Sequence, residues 1–131
     1  MSALFSNPGD TTKNWKEWHL QAYIVQEARR DGWLIAGDMN QGKRGYMTAS
    51  IAKACGLTAG EPDLRIYMPE GRMMFVELKT KKGKLSDEQK DHHKKMHELG
   101  HVVDVVYGET PLQAWLQVKH LKELKDCRVN I

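Results

Sequence analysis

The sequence lacks several features that would assign it to a particular class of protein. No run of about eighteen apolar residues is present, so no transmembrane helix is predicted. Residues 1–10 lack the basic segment and apolar stretch of a secretory signal, and we do not expect secretion. Only two cysteines occur, Cys55 and Cys127, and neither belongs to a CxxC pair. Two reduced thiols in a cytoplasmic protein are therefore expected, and a disulfide is the less favoured alternative.

Charge of one sign is not in large excess. The net charge of +3 over 131 residues is too small to require a nucleic-acid partner. The lysines are unevenly distributed, however, with seven of them between residues 79 and 95 against three acids. Basic loops beside a metal site would attract phosphates, whereas a solvated lysine-rich face is the simpler interpretation from charge alone.

Hydrophobic periodicity predicts an α/β domain with a small mixed central β-sheet flanked by helices. No internal repeat or linker divides the chain, so we expect residues 1–131 to form a single domain. The first helix is indicated by apolar residues at helical spacing, which are Trp18, Ala22, Val25 and Ala28, with Leu20, Tyr23 and Ile24 widening the apolar stripe. The predicted helices are 14–31, 48–55, 86–99 and one over about 110–125, and the predicted strands are 33–35, 63–68, 72–80 and 101–107.

Local signals order the elements in the second half of the chain. Pro69-Glu70-Gly71 is typical of a hairpin turn, so the strands on either side of it should pair antiparallel. Ser86 and Gln89 have the spacing of a capping box at the start of a helix, and Gly100 follows its end. The β-branched run that comes next predicts a buried strand. The strand–helix–strand order predicts that it lies parallel to the strand before the helix.

Two carboxylates and a lysine on the hairpin predict a metal site. Asp63 begins one strand, and Glu77 and Lys79 lie two residues apart on the next. Alternation sends Glu77 and Lys79 to one face, while Val76 and Leu78 point into a core. Mg²⁺ prefers oxygen ligands and keeps several waters, so two carboxylates and the backbone carbonyl of Leu78 are sufficient. Such a site suits phosphodiester cleavage, and an exposed cross-strand salt bridge is the alternative interpretation.

The same residues resemble the PD-(D/E)xK nuclease superfamily, and within it the virus-type replication-repair nuclease (VRR-NUC) family. Residues 40–44 resemble the family's Asn-Gly-Gly-x-Arg-like loop, and residues 56–64 are similar to its Gly-x-x-x-Gly-x-Pro-Asp segment. Residues 76–79 read Val-Glu-Leu-Lys, and residues 83–89 are similar to the family's Gly-x-Leu-Ser-x-x-Gln run. The resemblance covers about residues 16–108 and implies a restriction-endonuclease-like fold.

The resemblance implies a role for individual residues. Asp63 and Glu77 would be ligands of Mg²⁺ or Mn²⁺, and Lys79 would be the catalytic lysine. Gln89 matches the family's glutamine on the following helix, where it would hydrogen-bond the lysine or a phosphate. Glu17 matches the acid of the family's first helix, which would act as an outer metal ligand or through a water.

The acid of the first helix has two candidates. Glu17 has Gln21 four residues later on the same helix face, which is the spacing found in the family. Glu27, near the end of the same helix, is the competing candidate, and a solvated helix charge is its simpler interpretation. Glu61, directly before Pro62, departs from the family pattern and would change the metal affinity of the neighbouring site.

The implied activity is a DNA endonuclease that leaves a 5′-phosphate. Stand-alone members of the family resemble junction-resolving enzymes that act as two-fold dimers, so we expect a homodimer acting on four-way (Holliday) junctions in DNA repair, in a bacterial or phage-infected cell. A flap-directed or restriction-like nuclease and a non-catalytic nucleic-acid-binding module are the alternatives. Contacts to the DNA are expected from Asn40, Lys43, Arg44, Lys81, Lys82, Lys84 and Gln21.

The histidines and tryptophans do not predict a further site. His93 and His97 lie four residues apart beside His92, but no HExxH motif or cysteine pair completes a zinc site. We expect these histidines to be exposed or to contact phosphate. Core packing or a dimer interface is favoured over base stacking for the four tryptophans, Trp15, Trp18, Trp33 and Trp115.

Overall fold

Four strands form a mixed sheet in the order β1-β2-β3-β4. In this computed structural model, which describes residues 5–38 and 49–127, the strands are β1 Leu34–Gly37, β2 Leu64–Tyr67, β3 Met73–Thr80 and β4 Val103–Gly108. The helices are α1 Glu17–Arg30, α2 Ala49–Ala54, α3 Asp87–Glu98 and α4 Pro111–Cys127. Every one of these elements overlaps a predicted segment of the same type, so the predicted α/β class is confirmed, and the differences are confined to the ends of the elements.

The predicted hairpin and crossover are both present. β2 pairs antiparallel with β1 on one side and with β3 on the other. The turn between β2 and β3 passes through Pro69–Gly71, and Gly71 has a φ of +72°, which L side chains rarely adopt. β3 and β4 run parallel and are connected through α3, as a parallel pair requires a crossover.

One face of the sheet packs against α1 and α4. Val76 and Leu78 are fully buried on that face, as strand alternation predicts. Ala114, Trp115 and Val118 place α4 in the same hydrophobic cluster. Each large apolar side chain buried in this way contributes about 1.5–3 kcal/mol. The core therefore fixes α1 and α4 on one side of the sheet and leaves the other face to Glu77 and its neighbours.

The predicted apolar stripe of α1 is confirmed in part. Trp18 is 48% exposed, and Ala22 and Val25 are only partly buried. The residues that face the sheet are Leu20, Tyr23, Ile24 and Ala28. Apolar residues occupy more than one line along this helix, so spacing alone allowed both faces. The side of the helix that carries Leu20, Tyr23 and Ile24 is the one that packs against the sheet.

The strand after α3 is less buried than its β-branched composition predicts. Val106 is buried, but Val103 and Val105 are only partly covered. Val102 precedes the strand and is 54% exposed. β4 lies at the end of the described sheet order and pairs with β3 on one side. The prediction of a buried strand is therefore wrong, because an edge position limits the cover that a strand receives.

Two other local predictions are confirmed, the capping box and the free cysteines. Ser86 Oγ accepts a hydrogen bond from Gln89 N–H at 3.1 Å, and Gln89 Oε1 accepts one from Ser86 N–H at 2.9 Å, which completes the capping box of α3. Cys55 and Cys127 are both free and exposed. Across residues 5–38 and 49–127, no helix has the length and apolar character needed to cross a membrane.

Candidate active site

Asp63 and Glu77 face each other across the β2–β3 pair. Leu64 is paired with Val76, so the residue before Leu64 stands opposite Glu77 in the antiparallel register. Asp63 Oδ2 accepts a hydrogen bond from Leu78 N–H at 2.8 Å. The Asp63 and Glu77 carboxyls lie close enough for each to shift the pKa of the other. The hairpin therefore brings together the two carboxylates that the sequence singles out.

Glu77 is fully buried and keeps one oxygen unsatisfied. Its Oε2 accepts a hydrogen bond from Gln89 Nε2 at 3.0 Å. Its Oε1 lies 3.5 Å from His93 Nε2, and neither atom has a hydrogen-bond partner in the described residues. The family resemblance implies a bond from Gln89 to Lys79 or a phosphate, whereas the amide holds Glu77. The alternative interpretation of these residues as an exposed cross-strand salt bridge is wrong, because Glu77 and Lys79 are only 0% and 4% exposed.

The carboxylate pair retains a proton at neutral pH. Burial, followed by the hydrogen bond and negative charge of Asp63, raises the pKa of Glu77 to about 9. Burial also raises the pKa of Asp63, although hydrogen bonds from Glu77 and Leu78 oppose this. Two adjacent buried carboxylates cannot both ionise without a compensating positive charge. A divalent cation would supply that charge in place of the proton.

The donor chemistry fits a hard cation. Asp63 and Glu77 offer carboxylate oxygens, one of which has no hydrogen-bond partner in the described chain. Among residues 5–38 and 49–127, no three His, Cys, Asp or Glu side chains are grouped to hold a metal by themselves. Mg²⁺ requires less, because it keeps several waters and accepts backbone carbonyls such as that of Leu78. A structural zinc site would need four protein ligands and does not fit.

Lys79 lies beside Glu17 at the start of α1. Its Nζ is 3.8 Å from Glu17 Oε1, and strand alternation places it on the same face as Glu77. A Cβ on Gly83 would stand 3.2 Å from Glu17 Oε2 and 3.3 Å from Lys79 Cδ. The absence of a side chain at Gly83 thus lets the loop after β3 approach both residues closely.

Of the two candidates on the first helix, Glu17 is the one near the site. Glu27 lies about 15 Å further along the helix axis and pairs with Arg30 at 3.3 Å. Gln21, which was expected to contact DNA, donates from Nε2 to the backbone carbonyl of Asp38 at 3.1 Å. This bond ties α1 to the end of β1.

Two residues that lie near the carboxylates, Asp38 and His93, were not predicted from the sequence to belong to the site. The Asp38 N–H donates to the Asp63 carbonyl at 2.8 Å, and the negative charge of Asp38 contributes to raising the pKa of Asp63. Asp38 opens the loop that follows the first predicted strand, and this position could have indicated the contact. His93 follows Gln89 by four residues, a spacing that places both side chains on one helix face. That spacing could have placed His93 beside Glu77.

The histidines of α3 are less exposed than predicted. The His92 and His93 side chains are only 23% and 13% exposed, whereas His97 is exposed. His92 Nε2 lies 2.7 Å from Glu61 Oε2. Burial, followed by the charge of His92, lowers the pKa of His93, so its imidazole is neutral at neutral pH. The reason for the difference is tertiary, because α3 lies against the segment that enters β2.

A cavity of about 180 Å³ opens beside Asp63, between the segment that enters β2 and the first turn of α3. Gly60 has a φ of +91°, and a Cβ there would lie 2.6 Å from the carbonyl oxygen of Glu88. Glycine therefore allows this segment to approach α3. The lining residues are Ala59, Gly60, Glu61, Asp63, Ser86, Glu88 and Gln89.

The lysines expected to contact phosphate follow β3. Lys81, Lys82 and Lys84 are exposed, and Lys81 Nζ pairs with Glu109 at 2.9 Å. The remaining expected contacts, Asn40, Lys43 and Arg44, lie outside the residues that the structure describes. Contact with DNA stays a prediction for both groups.

Solved structures with a similar fold exist. A VRR_NUC domain superposes with a TM-score of 0.54 at 25% identity, over 84% of this chain and 97% of that chain. A VRR_NUC domain protein superposes with a TM-score of 0.60 at 18% identity, over 82% of this chain and 88% of that chain. No curated protein matches the chain. The fold is therefore restriction-endonuclease-like, with a mixed sheet flanked by helices.

The family comparison covers the candidate site. The VRR-NUC domain family matches residues 12–110, a segment that includes Glu17, Asp63, Glu77, Lys79 and Gln89. This is a nuclease family whose members generally use divalent metals, which supports assignment of the chain as a DNA nuclease. The chain belongs to the VRR-NUC domain family.

Proposed function

We propose that the protein is a divalent-metal-dependent DNA endonuclease in which Asp63 and Glu77 hold the cation. The carboxylate pair supports this proposal, because the positive charge of Lys79 only partly offsets the charges that the two ionised carboxylates would carry in the metal-free protein. The unsatisfied oxygen of Glu77 would be a ligand, and the Leu78 carbonyl would be a third one. Mg²⁺ and Mn²⁺ have the matching preference for oxygen ligands.

The bound cation would stabilise negative charge on the scissile phosphate and lower the pKa of an attacking water. In the hydrolysis, the water oxygen forms a bond to phosphorus in line with the P–O3′ bond, which breaks. The products are a 5′-phosphate and a 3′-oxygen that takes up a proton. Lys79 would neutralise the charge that develops on the phosphate oxygens.

The neighbouring residues would hold these groups in place. Glu17 would position the Lys79 ammonium, from 3.8 Å, and would reach the cation through a water. Gln89 would keep the Glu77 carboxylate in one orientation through its 3.0 Å hydrogen bond. Partners of this kind typically change metal affinity or activity by about 10–100-fold when they are removed.

Contacts to the DNA backbone are proposed for the exposed Lys82 and Lys84 and for Lys81. These lysines follow Lys79 closely in sequence, so phosphates bound by them would lie near the reacting one. Gln21 would contribute through the segment after β1 that it holds. The same role is proposed for Asn40, Lys43 and Arg44.

For the substrate, we propose a four-way junction cut by a homodimer. Two sites related by a dyad would suit a branched substrate with two symmetric strands, and residues 1–131 would form one nuclease domain in each copy. A flap-directed or restriction-like nuclease is the alternative. A non-catalytic binding module is disfavoured, because Asp63, Glu77, Lys79 and Gln89 are all present.

Cleavage assays test the proposal. Labelled four-way junctions, flaps and linear duplexes are incubated with Mg²⁺, Mn²⁺ or EDTA and each of three proteins: wild type, Lys79→Ala and Lys94→Ala. Lys94 is an exposed lysine of α3 and serves as the matched control. We expect metal-dependent cutting by wild type and Lys94→Ala, and none by Lys79→Ala. Cutting by Lys79→Ala at the wild-type rate would remove the assignment of the lysine.

A second variant separates binding from chemistry. Glu77→Ala should abolish cutting and preserve junction binding in gel-shift assays, because the carboxylate would be needed only for the cation. Wild-type protein that binds all three DNAs but cuts none of them with either metal would favour the non-catalytic module. Light scattering of the wild type, with and without a junction, measures whether the protein is a dimer.

A further inference from the structure

Trp18 presents a large aromatic surface at the start of α1. It is 48% exposed, whereas Trp15 and Trp115 are 8% and 5% exposed. Trp33 packs partly buried against the core. A single exposed apolar side chain is common and carries no argument by itself. Trp18 differs from such a side chain because its ring is held by a second ring and has charged residues nearby in the sequence.

The Trp18 ring belongs to a stack of three rings anchored in the core. The His19 imidazole stacks on Trp18 with 3.9 Å between ring centroids and 29° between planes. His19 also meets the buried Trp15 ring edge-on, at 5.4 Å. Trp15 Nε1 donates to the Asp10 carbonyl at 2.7 Å, and Lys16 N–H donates to His19 Nδ1 at 2.9 Å. One face of Trp18 is therefore covered, and its orientation is fixed before any ligand binds.

Trp18 adjoins the candidate active site through its neighbour in the sequence. Glu17, whose carboxylate lies 3.8 Å from Lys79 Nζ, is the residue directly before Trp18. The exposed residues near Trp18 in sequence include two cations, Lys13 and Lys16. An exposed aromatic ring with cationic side chains nearby in the sequence fits a ligand that has both an aromatic face and negative charges. An apolar protein surface would need a wider apolar patch.

We propose that Trp18 stacks on an unpaired nucleobase of the DNA substrate, next to the phosphate that is cut. This inference rests on the proposed nuclease function and specifies its substrate class. In continuous duplex, each base is covered on both faces by its neighbours, and an unpaired base offers a free face. The protein therefore binds DNA that has unpaired bases beside the cutting position, as bulges, flaps and open junctions do, more tightly than linear duplex.

Binding measurements without metal test this proposal, because EDTA prevents cutting. Fluorescence anisotropy compares a linear duplex with the same duplex carrying a bulge of unpaired thymines. The proteins are wild type, Trp18→Leu, Trp18→Phe and Tyr67→Leu. Tyr67 is 45% exposed on β2 and is the matched aromatic control. Thermal unfolding of each variant checks that it is folded.

Wild type should prefer the bulged duplex. Trp18→Leu should lose roughly 5- to 150-fold in affinity for it and keep the wild-type affinity for linear duplex. Trp18→Phe should retain most of the preference, and Tyr67→Leu should retain all of it. A 2-aminopurine in the bulge should be quenched by wild type, which keeps the proposal testable if Trp18→Leu does not fold.

Three results would overturn the stacking role. The first is that the wild type shows no preference for bulged DNA. The second is that wild type and Trp18→Leu bind bulged DNA with equal affinity. The third is that Trp18→Leu loses affinity equally for bulged and linear DNA. If Trp18→Leu also converts a dimer into a monomer in light scattering, the ring lies between copies of the chain. A wild type that prefers the bulge in EDTA but cuts no DNA with Mg²⁺ would overturn the nuclease proposal and leave the stacking intact.

Discussion

Gln89 connects the start of α3 to the buried carboxylate of Glu77 through the two ends of one amide. Its Oε1 accepts from the Ser86 N–H at 2.9 Å, and its Nε2 donates to Glu77 Oε2 at 3.0 Å. One contact needs an acceptor and the other a donor, so together they fix the orientation of the amide. The Gln89 side chain that completes the capping box of α3 therefore also orients the Glu77 carboxylate.

Gln89→Glu should separate the two functions of this side chain. Glutamate caps a helix in the same way as glutamine, so α3 should keep its start. Its second oxygen cannot donate to Glu77 and repels it, so cleavage activity should fall by about 10–100-fold. Steady-state cleavage with Mg²⁺ measures the loss, and circular dichroism measures the helix content.

Gln113→Glu is the matched control for this change. Gln113 Oε1 accepts from the Glu109 N–H at 2.6 Å, and the Gln113 N–H donates to Thr110 Oγ1 at 3.1 Å, so this glutamine caps the start of α4 in a similar way, with two residues as partners in place of one. That variant should keep wild-type activity. Wild-type activity in Gln89→Glu would show that the bond to Glu77 has no part in the reaction.

The stability of the metal-free protein should fall as the pH rises. The pKa of Glu77 in the folded protein is about 9, against an ordinary value of 4.5, so the folded state holds more protons between these pH values. The contribution of Glu77 to the free energy of unfolding is therefore fully present below its ordinary pKa. It decreases as the pH rises toward the pKa in the folded protein, by up to about 1.4 kcal/mol per pH unit. Urea unfolding in EDTA at several pH values measures this slope.

Glu77→Gln should flatten that slope, because the amide does not titrate. Addition of Mg²⁺ to the wild type should also reduce the slope, since the cation replaces the proton. A wild-type slope equal to that of Glu77→Gln in EDTA would mean that Glu77 is already ionised in the folded protein. The folded protein would then hold no proton on Glu77 for a cation to replace.

Glu17 and Glu27 allow a direct comparison of the two acids of α1. Glu17→Gln should lower the cleavage rate by about 10-fold or more, because Lys79 loses the carboxylate that lies 3.8 Å from its Nζ. Glu27→Gln removes a surface pair with Arg30, so it should leave the rate unchanged and cost less than about 1 kcal/mol of stability. The opposite order of effects on the rate would make Glu27 the functional acid.

Short-range chemistry explains which parts of the fold and site could be predicted. The turn at Pro69–Gly71 and the cap at Ser86 depend on neighbours in sequence, so their residue types were sufficient. The hairpin in turn places Asp63 opposite Glu77. Alternation along β3 then orients Lys79 as predicted.

The remaining features depend on contacts between distant segments. The burial of Glu77 requires α3 to fold over it, which no pattern within β3 reports. The exposure of Trp18 depends on which line of α1 meets the sheet. His93 was predicted to be exposed or to contact phosphate, and only the packing of α3 places it against Glu77. Periodicity describes an element and does not specify its tertiary neighbours.

His93 should affect metal binding through Glu77. Its Nε2 lies 3.5 Å from the unsatisfied Oε1, so it can hold the carboxylate on the side that Gln89 leaves free. His93→Ala should weaken Mn²⁺ binding by about 10-fold, and His93→Gln, which keeps a donor of similar reach, should recover part of the loss. Isothermal titration calorimetry measures both affinities. His97→Ala, one turn further along α3 and exposed, is the control, and equal affinities of His93→Ala and wild type would remove this role.

Gly56 and Gly60 allow the packing of α3 on the Asp63 segment to be measured. Their φ values are +92° and +91°, so alanine at either position carries the cost of a left-handed backbone, about 1–2 kcal/mol. No described atom lies within 4 Å of a Cβ built on Gly56, whereas one on Gly60 would meet the Glu88 carbonyl oxygen at 2.6 Å. Gly60→Ala must therefore also displace the segment from α3, at a further cost of about 1–3 kcal/mol.

The two alanine variants should consequently differ in stability and in metal binding. Urea unfolding should show Gly60→Ala as the less stable variant, by about 1–3 kcal/mol. Because Asp63 follows Gly60 by three residues, displacement of the segment would also move that carboxylate away from Glu77. Gly60→Ala should therefore weaken Mn²⁺ binding in calorimetry, and Gly56→Ala should not. Equal stabilities and equal affinities would mean that the contact between Gly60 and α3 does not position Asp63.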